Sequence, residues 1–311
     1  MVDLAVATRE ETFERMTEPL ADRGIEVRGI RHAERTFDLT ARGEFAGFDA
    51  GFVYPPRIME GAVVDARLDV PWVNDRDAVL TSRNKAGVLA ALDSAGLPVP
   101  GTVVVSDPVE EANLREAFER FEPPVVVKPN STTRGIGVTK VGDLDSFLGV
   151  CDYLDLVHDY RATGDKAFLV QEYLPGARDL RVMTIEGAYA GAVERRLPEP
   201  SGDPADTPGA ATWKHNVHRG AEATGVELDP GLDGVTDDAG SSGGDHDLRG
   251  LAERAAAALD IDWLGVDLLV SGDRAVISET NARPTIDAET KYEPDFYDRL
   301  AGLIRETAEG G

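Results

Sequence analysis

Cysteine is nearly absent from this chain. One residue, Cys151, among 311 excludes an internal disulfide and fits a reducing compartment. Lysine is scarce too, six residues against 26 arginines, and 57 acidic residues outweigh both. The net charge of −25 argues against a nucleic-acid partner, because binding phosphates needs basic surface. An acidic, lysine-poor surface suits concentrated salt, where screening over a few Å tolerates self-repulsion. The composition therefore points to a salt-rich, halophilic cytoplasm. No apolar run approaches the ~20 residues of a membrane span. The opening Met1-Val-Asp-Leu-Ala-Val-Ala-Thr8 has no basic leader, so no export signal is expected. Two phosphate-binding fingerprints are also missing. No Gly-x-Gly-x-x-Gly follows the first predicted strand, and Gly-x₄-Gly-Lys-Ser/Thr occurs nowhere. The first absence disfavours ordinary dinucleotide binding, and the second excludes a P-loop.

What is present reads as an α/β chain of two or three compact units, long enough to bury a sizeable core. Residues 3–80 alternate short apolar strands with a helix carrying Phe13, Met16 and Leu20 at helical spacing, a small α/β layer with a parallel sheet. Pro55-Pro56-Arg57 marks a loop at a strand's C-terminal end, where open α/β sheets bind ligands; Arg57 is a candidate for a substrate carboxylate. A helix is predicted over 82–95 with Lys85 in its first turn, then helices over 109–121 and 143–160 between strands. Cys151 falls in the last of these, as a core residue. Strands at 178–185 and 188–196 form a hairpin, and residues 198–211 and 229–247 are Pro-, Gly- and Asp-rich insertions.

Two stretches carry chemistry. The strand Val125-Val-Val-Lys128 runs into Pro129-Asn-Ser-Thr-Thr-Arg-Gly-Ile-Gly-Val138, a plausible phosphate cradle because small residues let backbone N–H groups approach oxyanions. Further on, Leu264-Gly-Val-Asp-Leu-Leu-Val-Ser-Gly-Asp-Arg-Ala-Val-Ile-Ser-Glu-Thr-Asn281 reads as a hairpin about Ser271-Gly272-Asp273. That pairing sets Asp267 nearly opposite Glu279, and alternation points Glu279 and Asn281 to one face. Three oxygen donors on an otherwise apolar hairpin make a Mg²⁺-type site, or else a solvated edge. With lysine so scarce, the retention of Lys85, Lys128 and Lys214 in or near such stretches is notable. His215 and His218 lack a third His or Cys nearby, which disfavours zinc.

Nine short motifs, in order, resemble the ATP-grasp superfamily and within it the RimK-type carboxylate–amine ligases. They are Asn84-Lys85; Val125-Val-Val-Lys128; Arg134-Gly-Ile-Gly-Val138; Val170-Gln-Glu-Tyr173; Arg178-Asp-Leu-Arg181; Val193-Glu-Arg-Arg196; Lys214-His-Asn-Val-His-Arg-Gly220; Gly265-Val-Asp267; and Glu279-Thr-Asn281. The resemblance implies an ATP-grasp fold over about 81–311, divided near residue 168, behind an N-terminal α/β domain of residues 1–80. It implies that Lys85 and Lys128 reach the phosphates of ATP, under a loop of Arg134, Gly135 and Gly137. Glu172 and Tyr173 are expected at adenine, Asp179 near ribose or substrate, and Lys214, His215 and Asn216 as further nucleotide contacts. Asp267, Glu279 and Asn281 are expected to hold two Mg²⁺ or Mn²⁺ ions, and Arg181, Arg196 and Arg219 to stabilise an acyl phosphate.

The implied activity is ATP-dependent joining of a small-molecule or peptide carboxylate to an amine, in the cytoplasm, by an enzyme that pairs with itself as related ligases often do. The rivals are a carboxylate kinase that releases its acyl phosphate and a non-catalytic nucleotide-binding module. Three departures from the family pattern stand out: Lys at 214 where Arg is common, a long loop at 198–211, and Ala-Arg-Pro-Thr after Asn281 in place of small residues. They leave the glutamate donor and protein acceptor of the family open, and make Arg283 a candidate for altered substrate recognition.

Overall fold

The computed structural model describes residues 1–7, 11–30, 36, 38–40, 43–132, 135–159, 165–196, 222–228, 247–288 and 291–310. The chain opens as β1 (Val2–Val6), α1 (Glu11–Ala21), β2 (Ile25–Gly29), β3 (Ala50–Phe52), α2 (Ile58–Leu68) and β4 (Trp72–Val73). These strands form a parallel sheet in the order β2-β1-β3-β4, as the alternating apolar strands and helix predict. Two helices follow, α3 (Arg76–Arg83) and α4 (Lys85–Ser94), where one helix over 82–95 was expected. Asn84 separates them. It leaves helical geometry at ψ 86° and its side chain accepts the Gly87 N–H, so it ends one helix and caps the next.

Next come β5 (Thr102–Ser106), α5 (Glu111–Glu119), β6 (Val125–Pro129), β7 (Thr139–Val141), α6 (Leu144–Asp159) and β8 (Ala167–Glu172). They make an antiparallel sheet β5-β8-β6-β7. Strand parity sorts its two faces. Val125, Val127, Phe168 and Val170 pack with α5, α6 and the buried Cys151. Lys128, paired with Leu169, is turned the other way.

The remaining strands are β9 (Arg178–Ile185), β10 (Ala188–Arg196), β11 (Glu222–Val226), β12 (Trp263–Ser271) and β13 (Arg274–Asn281), with α7 (Leu248–Leu259) before β12 and α8 (Phe296–Glu309) last. Their sheet runs β11-β10-β9-β12-β13, antiparallel throughout. One face buries Leu180, Val182, Leu264, Val266 and Leu268 under Ala252, Ala255 and Leu92 of α7 and α4. The opposite face changes character along its length. At one end Met183, Ile185 and Trp263 are buried among Phe52, Phe296 and Leu300 of the first sheet and α8; at the other stand Asp179, Arg181 and Asp267.

Asn74 fastens the first sheet to this one. Its side chain donates to the Ala282 and Trp263 carbonyls and accepts the Trp263 N–H. Its φ of +54° is a conformation Asn tolerates better than most residues.

Candidate active site

The hairpin β12–β13 turns through Gly272 at φ +60° and pairs Asp267 with Glu279 and Gly265 with Asn281. All three oxygen-bearing side chains therefore share a face. A bulge makes this compatible with a buried strand: pairing shifts between Asp267 and Leu268, so Ile277 enters the core opposite Leu268 while Glu279 remains beside Asp267. Ser278, the extra residue, bonds its hydroxyl to the Asp267 carbonyl at 3.1 Å.

Asp267 sits in a chain of charges across three strands. Arg181, its cross-strand neighbour, grips it with Nε–Oδ1 at 2.7 Å and Nη2–Oδ2 at 2.9 Å. Arg195 reaches Asp267 Oδ2 at 3.0 Å and also binds Asp179, the residue it pairs with in β9–β10. Burial alone would push the Asp267 carboxyl up, but the two guanidiniums overcome it and hold the group at about 2. The same carboxylates raise Arg195 above its ordinary value against the opposing pull of burial.

Two lysines face this cluster. Lys85 opens α4, is only 4% exposed, donates to the Thr132 carbonyl and lies 3.3 Å from Glu279. Lys128 is buried on β6, and desolvation lowers it to about 8 although Glu279, Asp267 and Asp179 pull the other way. Asn130 joins the two lysine-bearing elements, accepting the Ala86 N–H at 2.8 Å and donating to Asn84 at 3.0 Å. In the loop beyond, Gly135 and Gly137 have φ of 65° and 78°, and a Cβ at Gly137 would stand 2.7 Å from Pro129. Ile136 between them is exposed. Glu172, at the end of β8, is held low by Arg274 and also accepts the Gly101 N–H; Lys140 lies 4.6 Å above the Tyr173 ring.

Strand parity corrects one expectation. Arg196 lies on the opposite face from Asp267, 61% exposed, and bonds Glu194 at 2.8 Å beside Arg178. Its neighbour Arg195, missed in the sequence, takes the inward position. No sequence signal marks the exchange: a regular hairpin about Glu186-Gly187 sets Glu194 opposite Asp179, and the bulge between Tyr189 and Gly191 moves Arg195 into that place. Two further candidates have other partners: Arg57 pairs with Glu60 at 3.0 Å, and Arg283 binds carbonyls of the first sheet. Arg134, Lys214, His215, Asn216 and Arg219 lie outside the described residues.

Two carboxylates and a carboxamide oxygen are the donors that Mg²⁺ or Mn²⁺ takes, so the residues of this face fit such an ion. Among the described residues no three His, Cys, Asp or Glu side chains form an all-protein cage.

Two antiparallel sheets presenting lysines on one side and carboxylates on the other define an ATP-grasp fold. Solved structures carry the same architecture: a RimK domain ATP-grasp protein from Sphaerobacter thermophilus (TM-score 0.64, 22% identity, 99% of this chain and 100% of that one), and a D-cycloserine synthetase (TM-score 0.70, 18% identity, 98% and 99%). Within that class the RimK-like ATP-grasp domain model matches residues 82–295, and the chain belongs to this family. It is an ATP-dependent ligase joining a carboxylate to an amine. It is similar to a probable alpha-L-glutamate ligase of Hydrogenovibrio crunogenus, 26% identical over 94% of this chain and 91% of that protein. It is also similar to the ribosomal protein bS6–L-glutamate ligase of Escherichia coli, 26% identical over 70% of this chain and 62% of that one. No described helix is long and apolar enough to cross a membrane.

Proposed function

We propose that the enzyme activates a carboxylate with ATP and passes the acyl group to an amine that belongs to an amino acid or peptide. The observation that carries this is the convergence of Lys85 and Lys128 on the face of Asp267, Glu279 and Asn281. The substrate carboxylate attacks the γ-phosphorus, ADP leaves, and the amine nitrogen displaces phosphate from the acyl carbon. Asp267, Glu279 and Asn281 would hold Mg²⁺ or Mn²⁺, which supplies charge neutralisation on the phosphates. The two lysines cover further phosphate oxygens, and the loop of Arg134, Gly135 and Gly137 covers the triphosphate. Glu172 and Tyr173 border adenine, and Lys214, His215 and Asn216 add nucleotide contacts. Catalysis here is mainly positioning and charge compensation. Arg181 and Arg195 do more than balance Asp267: they bring fixed positive charge to where the transferred group becomes anionic, a role shared with Arg219.

In this reading residues 1–80 form a domain preceding two grasp subdomains, 81–168 and 169–311, working in a salt-rich cytoplasm. The test is ADP release from ATP and Mg²⁺ in molar KCl, with acids and amines supplied separately and together. The ligase reading expects release only when both are present, and loss of release in Glu279→Gln with the fold retained. Release driven by an acid alone would replace it with a carboxylate kinase, and binding of ATP without turnover in any combination with a non-catalytic module.

A further inference from the structure

The loop after β3 is where a ligand is expected on an open parallel sheet. The strand order β2-β1-β3-β4 reverses direction between β1 and β3, and the crevice at the carboxyl ends of those strands is the usual binding place. Arg57, the cation that the loop itself offers, is drawn off by Glu60. Two other arginines arrive there from elsewhere in the chain. Arg283, just beyond β13, donates to the carbonyls of Val53 (3.1 Å), Tyr54 and Ala7 (3.3 Å). Arg83, the last residue of α3, donates to the Pro56 carbonyl at 2.9 Å.

Neither guanidinium has an ion-pair partner among the described residues, in a chain of 57 acidic side chains. A guanidinium offers five N–H donors, and the Arg283 Nε carries no hydrogen bond among the described residues. Nε and Nη2 form the edge with which arginine grips a carboxylate at two points. The two guanidiniums bind carbonyls two residues apart on one loop, Pro56 and Tyr54, and the Ala282 N–H donates to Ser82 beside Arg83, so the two cations stand close together. Arg283 also donates its backbone N–H to Asn281 Oδ1 at 2.9 Å, which ties this cationic corner to the face carrying Asp267 and Glu279.

We propose that Arg83 and Arg283 form a subsite for a substrate carboxylate other than the one being activated. This rests on the ligase reading and narrows it: one of the two substrates carries a spare carboxylate, as an amino acid or a dicarboxylate does. The ligand's negative charge offsets the repulsion between the guanidiniums, and its anchorage on the crevice places its reacting end toward the metal face.

The test is calorimetric binding to the full-length protein with ADP and Mg²⁺ in molar KCl. The probes are L-glutamate, its α-amide, its γ-amide and glutarate. Wild type is expected to bind glutamate at least about tenfold more tightly than one of the amides, the value of a charge-assisted hydrogen bond. Arg83→Gln and Arg283→Gln should each erase that preference and leave ADP affinity unchanged. Arg83→Gln removes a single hydrogen bond, so it keeps the test decisive if Arg283→Gln fails to fold. Glutarate binding as well as glutamate assigns the carboxylate to the acid substrate; a requirement for the amino group assigns it to the amine. Absence of binding, equal affinity for glutamate and both amides, or a preference surviving in Arg83→Gln overturns the proposal. Amine-dependent ADP release that persists without such a preference sinks the subsite and spares the ligase reading; the preference without any ADP release does the reverse.

Discussion

Arg195 and Arg196 are adjacent in sequence and opposite in consequence, which makes them a sharp test of how the site is built. Arg195→Met removes a buried guanidinium that bonds Asp179 and stands 3.0 Å from Asp267. Breaking a buried pair by deleting one partner costs about 3–5 kcal/mol, since it leaves a charge uncompensated. Asp267 keeps the Arg181 fork, so the lower end, about 3 kcal/mol, is the expected cost. With an unfolding entropy of about 0.65 kcal/mol/K for a chain this long, that is a fall in Tm of about 5 °C. Arg196→Met removes a mostly exposed partner of Glu194, which keeps its two bonds from Arg178. An exposed pair contributes about 0–1 kcal/mol, hence a fall of at most about 1.5 °C. Calorimetry of both variants against wild type, in the same molar KCl, reads the difference directly. The ADP-release assay should show the same ordering, with Arg195→Met losing turnover and Arg196→Met keeping most of it. Equal falls in Tm, or a larger effect at Arg196, would refute the assignment of faces and the role given to Arg195.

Lys128 makes nucleotide binding pH-dependent. Its folded value of about 8 lies below the ordinary 10.5 because of burial, so the unfolded chain binds more protons between those values. The group's contribution to stability therefore rises with pH across that window, and the full penalty for burying its charge applies below about 8. Phosphates favour the ammonium form, so ATP binding at pH 8 should take up about half a proton; calorimetry in buffers of different ionisation enthalpy measures the uptake, and Lys128→Met should abolish it. Asn74→Ala leaves the Ala282 and Trp263 carbonyls and the Trp263 N–H without the bonds Asn74 makes. A loss of about 2–4 kcal/mol is expected, visible in denaturant unfolding as a lower midpoint at unchanged slope. A midpoint unchanged from wild type would mean Asn74 does not fasten the two sheets.

Much of the architecture was legible because it depends on short-range periodicity. The hairpin of β12 and β13, its turn at Gly272 and the pairing of Asp267 with Glu279 follow from alternation and one turn signal, as does the parallel first sheet. The split at Asn84 was harder to see. An Asn before Lys85 reads as helix interior until its side chain is known to cap Gly87. The bulge at Ser278 was also hidden, because the sequence does not say that Ile277 and Glu279, two residues apart, must face opposite ways.

By itself the sequence determined the type and order of most strands and the family, since these are written in local pattern and in motifs; β7 and β11 carried no such signal. Only the tertiary structure decided which arginine serves Asp267, what Arg283 touches, and that Lys128 is buried opposite carboxylates more than 130 residues away. Those outcomes depend on which strands pair and which faces meet. A change of one residue in strand parity exchanges Arg195 for Arg196, and local composition is nearly the same either way.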